Sequence, residues 1–310
     1  MKTVSVILPA CEEEGNILSA AESLSAVLKA TDTDYELLFV DDGSRDKTWE
    51  RIREASAADR RVRGIRFSRN FGKEAAMFAG LEAARGDCCV VMDCDGQHPA
   101  SVLPEMLRLW EQGYEVVEGV KETRGAESAA HRAAAGIFYR WISRATGQDM
   151  AGASDFRLLD RKVVDALNRL PERNVFFRAL SGWMGFRRTT VSYPVGERTS
   201  GSSKWSTRAL IRYAVTNIAS FTSAPLHIVT VLGLLMLLVA VVFGVIALVQ
   251  KLAGVALGGF TTVILLLLFI GSILMVSLGI IGYYIARIYE EIKGRPRYIV
   301  AEELGPEKTE

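Results

Sequence analysis

Val90-Val91-Met92-Asp93-Cys94-Asp95-Gly96-Gln97-His98-Pro99 runs from an apolar stretch into two carboxylates one residue apart, then a glycine and a polar cluster. The pattern reads as a buried strand that presents acidic oxygens at its carboxyl end, where open α/β sheets bind ligands. Oxygen donors there suit Mg²⁺ or Mn²⁺ bridging a diphosphate, because such an ion keeps waters and takes few protein ligands. Two acids at a strand end are also what a solvated loop carries. The motif therefore has to be weighed with its surroundings.

Upstream, strand-like and helix-like stretches alternate. Val4–Pro9, Tyr35–Val40 and Val62–Phe67 read as strands, and Cys88–Met92 is the strand feeding the acidic pair. Asn16–Ala30, Lys47–Ala58 and the alanine-rich Gly72–Ala84 read as the helices between them. This rhythm predicts βαβ units and an α/β fold with a doubly wound, mostly parallel sheet. Three polar clusters, Pro9–Glu13, Asp41-Asp42 and Asp93–Asp95, then fall on one sheet edge. No Gly-x-Gly-x-x-Gly follows the first strand and no Gly-Lys-Ser loop is present, which disfavours dinucleotide redox enzymes and P-loop nucleotidases.

The net charge of +1 gives no reason to expect a nucleic-acid partner. Cys11, Cys88, Cys89 and Cys94 have no zinc-like spacing, and the adjacent pair is badly placed for a disulfide, so reduced thiols are expected. Val4–Leu8 is too short for a secretory signal and is soon followed by Glu12-Glu13-Glu14.

From about 115 to 205 the chain is mixed and rich in arginine. A short strand is expected within Trp110–Glu118 and a helix over Ala129–Thr146. Asn174–Phe186 is aromatic with one charge, and reads either as core or as a helix in a membrane interface. Two uncharged runs follow, His227–Val249 and Phe260–Ala286, each long enough to cross a bilayer. Arg208 and Arg212 precede the first; Arg287, Lys293, Arg295 and Arg297 follow the second; the Gln250–Gly259 connection holds only Lys251. By the positive-inside rule both ends are cytoplasmic. Gly271, Ser272, Gly279 and Gly282 allow close helix packing within the hairpin or in a homo-oligomer.

The ordered set Val6-Ile7-Leu8-Pro9-Ala10…Glu13, Val40-Asp41-Asp42-Gly43-Ser44, Arg69-Asn70-Phe71-Gly72-Lys73 and Asp93-x-Asp95-Gly96-Gln97-His98-Pro99 resembles the family 2 (GT-A) glycosyltransferases. Ser154-Asp155-Phe156-Arg157-Leu158, Arg198-x-x-Gly201-x-Ser203-Lys204-Trp205-Ser206 and the two spans narrow this. The whole is similar to the polyprenyl-phosphate glycosyltransferases, the bactoprenol glucosyltransferase and dolichyl-phosphate mannose synthase group.

The resemblance implies transfer of one sugar from a nucleotide diphosphate donor, UDP-glucose or another UDP-hexose ahead of GDP-mannose, to a polyprenyl phosphate. It places metal (Mg²⁺ or Mn²⁺) at Asp93, Asp95 and Gln97, and the donor nucleotide at Pro9, Cys11, Glu13, Asp42, Lys73 and Asp93. Arg198, Ser203 and Lys204 would grip the diphosphate, and Arg124, Arg132 and Arg157 the acceptor phosphate. Asp155 and Asp95 are the expected catalytic groups, with Asp155 orienting the attack or taking a proton. Cys11-Glu12 replaces the family's usual Tyr-Asn, which removes a ring that would pack on the base. His98 stands close enough to the acidic pair to be a further ligand candidate, and His131 reads as a surface residue. The expected organisation is a cytoplasmic catalytic domain over 1–205, a juxtamembrane segment over 206–226, two transmembrane helices within 227–286 and a cytoplasmic tail over 287–310, in a bacterial inner membrane. A processive polysaccharide synthase is disfavoured by the lack of Gln-x-x-Arg-Trp and of further spans, and a non-catalytic membrane scaffold by the intact acidic pair.

Overall fold

The computed structural model describes residues 2–31, 33–122, 153–172, 177–194, 224–254 and 259–305. In chain order the elements are β1 (Thr3–Ala10), α1 (Ile17–Leu28), β2 (Asp34–Asp41), α2 (Thr48–Ala58), β3 (Val62–Phe67), α3 (Lys73–Ala83), β4 (Cys88–Val91), α4 (Leu103–Glu111), β5 (Val116–Glu122), β6 (Ala153–Asp160), α5 (Arg161–Asn168), α6 (Phe177–Trp183), β7 (Arg188–Pro194), α7 (Ala224–Leu252), α8 (Phe260–Ile292) and β8 (Val300–Leu304). The first seven fall where hydrophobic periodicity puts them. They form the parallel heart of an eight-stranded sheet ordered β7-β5-β6-β4-β1-β2-β3-β8. Strand β6 runs antiparallel to β4 and β5, β7 is parallel to β5, and β8 closes the far edge antiparallel to β3.

Parallel strands covered on both faces must be apolar nearly throughout. Leu37, Leu38, Phe39 and Val40 of β2 are accordingly all buried. Leu8, Phe39 and Trp49 belong to the core on one face; on the other, Leu38, Val40, Ile65 and Phe67 pack with Ala76 and Ala79 of α3. Helix α3 lies close on β1, because a Cβ at Gly80 would strike Ile7. At the amino edge, buried Glu36 accepts from the Ser5 hydroxyl (2.6 Å), Arg63 (2.8 Å) and the Arg85 backbone N–H (2.7 Å). Three donors of this kind offset the cost of burying the carboxylate.

The short strand expected within Trp110–Glu118 is β5, which starts at Val116 after the helix Leu103–Glu111, whose second residue is Pro104. The helix expected over Ala129–Thr146 lies outside the described residues. In the aromatic stretch, Phe177, Ala179 and Leu180 of α6 are buried, which favours core over interface; Trp183 is 61% exposed.

The chain divides into two compact units, Met1–Leu210 with Arg295–Glu310, and Ile211–Gly294. The second holds α7 and α8, whose Val229–Gln250 and Leu266–Ile292 portions are long and apolar enough to span a bilayer. Protein leaves side chains such as Leu238 and Leu267 uncovered, as hydrocarbon-facing positions would be. Helix α8 continues past Ala286 to Ile292.

The expected tail over 287–310 is divided between these units. After α8 the chain returns to the sheet. Tyr298 stacks on Phe67 (centroids 4.9 Å apart, 14° between planes) and its hydroxyl donates to Glu82 at 2.5 Å. Arg297 lies over Phe78 and donates to the Leu170 carbonyl at 2.7 Å. Glu302 of β8 accepts from Trp49 (3.2 Å), Arg66 (3.1 Å) and Arg53. An aromatic stack and an added edge strand are structure, so the hairpin is an insertion in the sheet-bearing unit. Tyr298→Ala should therefore destabilise the full-length protein by about 2 kcal/mol. The measurement is thermal unfolding in detergent, and an unchanged Tm would show that the return segment contributes nothing.

Candidate active site

The carboxyl ends of β1, β2 and β4 each run into a loop, and polar contacts lace these loops together. The Ser44 hydroxyl accepts from the Glu12 N–H (2.9 Å), and Thr48 Oγ1 accepts from the Glu13 N–H (2.8 Å). Asp42, buried, accepts from the backbone N–H of Phe71 (2.6 Å) and Gly72 (2.9 Å). Gly43 has φ +66, and any Cβ there would collide with the Arg69–Asn70 backbone. Glycine is what lets the two loops touch. Cys11 Sγ accepts from Asn70 Nδ2 at 3.3 Å. Glu13 accepts from Asn16 Nδ2 at 2.5 Å, and the Pro9 carbonyl faces the Cys94 thiol at 3.8 Å. Of the residues expected at the donor nucleotide, Pro9, Cys11 and Glu13 thus lie in these laced loops. Asp42, however, lies under residues 71–72 and holds that loop in shape.

Beside these loops is a cluster of paired charges. Lys73, the first residue of α3, places Nζ 2.6 Å from Asp93 Oδ1 and 2.8 Å from Asp155 Oδ2. Arg178 of α6 forks onto the same Asp155, Nε to Oδ1 at 2.6 Å and Nη2 to Oδ2 at 2.9 Å. Asp155 is 5% exposed, whereas the Lys73 side chain is 41% exposed. Burial by itself would raise the Asp155 carboxyl, but Lys73 and Arg178 outweigh it and hold the group well below the usual carboxylate range. Burial pulls the Lys73 ammonium down; Asp93 and Asp155 more than reverse that. Asp93 is held low in spite of burial, chiefly by Lys73.

His98 is buried, stacks on Phe156 (5.0 Å, 14°), and accepts the Asp93 backbone N–H on Nδ1 at 3.0 Å. Burial lowers its pKa, so the neutral ring carries its proton on Nε2. Its visible work is to fix the loop that bears the acids. Asp95 is half-buried and accepts the Gln97 N–H at 3.0 Å, which makes this loop a tight turn. Among the described residues no three His, Cys, Asp or Glu side chains form a cage for an ion. Two carboxylates on one turn fit instead an ion that arrives with a diphosphate and keeps oxygen ligands from it and from water. Asp95 and Asp93 are the residues present to hold one.

Arg157, expected at the acceptor phosphate, is buried. Arg157 is 1% exposed, and its guanidinium donates to the carbonyls of Ser154 (3.2 Å) and Arg178 (2.9 Å), to Ser181 Oγ, and faces Glu118 at 3.6 Å. An arginine so enclosed braces β6 against α6. Arg124, Arg132, Arg198, Ser203 and Lys204 lie outside the described residues. Two site residues were missed, Arg178 and Glu74. Arg178 is the sole charge in the apolar Asn174–Phe186 run, and a lone cation in such a run needs a buried partner. Glu74 gave no comparable sign.

Residues 5–167 match the family model for glycosyl transferase family 2. The chain belongs to that family. The uncharacterized glycosyltransferase YkcC of Bacillus subtilis (strain 168) is 39% identical over 305 residues, covering 98% of this chain and 94% of YkcC. A bactoprenol glucosyl transferase of Shigella phage SfII is 32% identical over 299 residues (96% and 97%), and a prophage bactoprenol glucosyl transferase homolog of Escherichia coli (strain K12) is 33% identical over 299 (96% and 98%). Among solved structures, glucosyl-3-phosphoglycerate synthase of Mycobacterium tuberculosis, complexed with Mn²⁺, UDP-glucose and phosphoglyceric acid, superposes with TM-score 0.50 at 20% identity over 71% of this chain and 78% of that one. The glycosyltransferase therefore has the GT-A fold, to which it joins two apolar helices.

Glu74 gives the site a pH signature. Burial and the charge of Asp155 push its carboxyl up to about 8, against the Phe177 N–H, Arg178 and Lys73. A carboxyl raised on folding binds more protons folded than unfolded, so native stability falls as pH climbs from the ordinary 4.5 towards that value. Glu74→Gln cannot ionise and should gain Tm relative to wild type between about pH 5 and about pH 9. Parallel Tm profiles for the two proteins would show that Glu74 ionises normally.

Proposed function

We propose that this glycosyltransferase moves one hexose, with inversion, from a UDP-sugar, glucose foremost, to a polyprenyl phosphate at the cytoplasmic face of a bacterial inner membrane. The observation that carries the reading is the paired-charge cluster at the carboxyl edge of the sheet, in a chain that aligns over nearly its whole length, apolar helices included, with proteins named bactoprenol glucosyl transferases. A phosphate acceptor is already an anion. Its oxygen attacks the anomeric carbon, the bond to the diphosphate breaks, and the electron pair leaves on the nucleoside diphosphate.

Such a reaction needs little base and much cation. Asp155 fits that demand. Held low by two cations, it is a poor proton acceptor, and its part is to fix Lys73 and Arg178 where two phosphates meet. Lys73, partly open to solvent, is the cation able to turn to the donor diphosphate. A divalent ion, Mg²⁺ or Mn²⁺, held by Asp95 with Asp93 and with Gln97 beside them, supplies positive charge to the leaving group when bound. Pro9, Cys11 and Glu13 face the nucleoside; Arg198, Ser203 and Lys204 close on its phosphates; Arg124 and Arg132 receive the lipid phosphate. The arginines that flank the helices set both termini and the sheet-bearing unit in the cytoplasm.

Purified full-length protein with polyprenyl phosphate, offered UDP-glucose, other UDP-hexoses and GDP-mannose with and without metal, should form a lipid-linked monosaccharide with UDP-glucose. Transfer from GDP-mannose alone would reassign the donor, and no transfer from any donor would revive the scaffold reading. Asp95→Ala should cut turnover at least about a hundredfold while the protein still inserts and folds. Near-normal turnover in that variant would sink the metal assignment.

A further inference from the structure

Adjacent residues at the start of α3 reach in different directions. Lys73 goes to Asp93 and Asp155, while Glu74 Oε2 accepts the backbone N–H of Phe177 at 3.0 Å. Phe177 is the first described residue of α6, so Glu74 meets the backbone where that helix enters the described chain. Four residues along α3 from Glu74, on the same face, Phe78 meets the Phe177 ring edge to face (6.4 Å, 88°). Helix α3 therefore holds Phe177 twice, by its backbone through Glu74 and by its ring through Phe78. The next residue of α6 is Arg178, whose fork closes on Asp155.

Resting on the function proposed above, we propose that Glu74 is a positioning residue for sugar transfer: its hydrogen bond to Phe177 sets the start of α6 and so aims Arg178 at Asp155. The ring contact fixes how near α6 lies to α3, but a ring edge tolerates rotation. The hydrogen bond is directional and fixes the turn that carries Arg178. Arg157 secures the next peptide by donating to the Arg178 carbonyl at 2.9 Å. Without Glu74, α6 keeps its apolar packing and loses its angular reference. The consequence falls on alignment of the reacting groups, where displacements near 1 Å are costly.

The test uses full-length protein in detergent with UDP-glucose, polyprenyl phosphate and Mn²⁺, comparing wild type, Glu74→Gln and Glu74→Ala. The glutamine oxygen still accepts the Phe177 N–H, so Glu74→Gln should keep kcat within about threefold of wild type. Glu74→Ala should lose at least about tenfold in kcat, with KM for UDP-glucose moved less than about twofold. Hydrogen exchange read by mass spectrometry should show faster exchange over Phe177–Trp183 in Glu74→Ala and not in Glu74→Gln. A merely structural role would lower Tm and leave kcat per folded molecule alone. The proposal is overturned if Glu74→Ala retains wild-type kcat, if both variants lose equally, or if exchange over α6 is unchanged. A wild-type protein that transfers no sugar overturns the functional reading instead, and the proposal with it.

Discussion

A buried carboxylate caught between two cations organises this molecule. Asp155 sits on β6, the strand that turns the sheet antiparallel, and it is reached from one side by α3 and from the other by α6. Taking a carboxylate out of water costs several kcal/mol, which only close and well-directed partners offset. Here the partners are a bidentate guanidinium and an ammonium shared with Asp93. The arrangement holds β4, β6, α3 and α6 in mutual register. It also stores two positive charges at the sheet edge where a diphosphate and a phosphate would converge, neutralised until such ligands arrive.

The same constraint explains the second layer of the site. Lys73 must leave α3 at one angle, so the loop before it is fixed by Asp42 through Phe71 and Gly72. Asp93 must meet Lys73, so its own N–H is held by a buried neutral histidine. Arg178 must fork onto Asp155, so its carbonyl is gripped by Arg157. Asp42 and Arg157 carry residue types that sequence reading places at ligands, and His98 one that it weighs beside the metal. In the fold they build the frame that orients the groups left for chemistry.

The parallel half of the sheet was legible because its information is local. Continuous apolar runs, helices of ordinary length and acidic strand ends repeat within about thirty residues of one another, and the elements through β4 lie where that rhythm put them. What escaped was set by contacts distant along the chain. Arg178 finds Asp155 across an apolar segment that reads as core or interface, and Glu74 looks like one more exposed helical acid until Phe177 lies above it. Arg157 is of the residue type that holds phosphates, and only the fold shows the carbonyls that surround it. The eighth strand is the clearest case. Val300–Leu304 follows a long apolar helix and carries two glutamates, so it reads as tail. Its partner β3 lies more than two hundred residues earlier.

That late strand bears on how the enzyme is put together. An edge strand with a stacked tyrosine and a glutamate shared by Trp49, Arg53 and Arg66 makes the segment after the second apolar helix part of the sheet-bearing unit. Arg297 belongs to the same unit. It lies over Phe78, whose ring packs on Phe177 at the head of α6, one residue from Arg178. The chain's exit from the second apolar helix thus touches, through two aromatic rings, the helix that supplies a cation to Asp155. Return segment and active site thus share packed side chains, and the strand that follows the membrane-length helices belongs to the catalytic unit's own sheet.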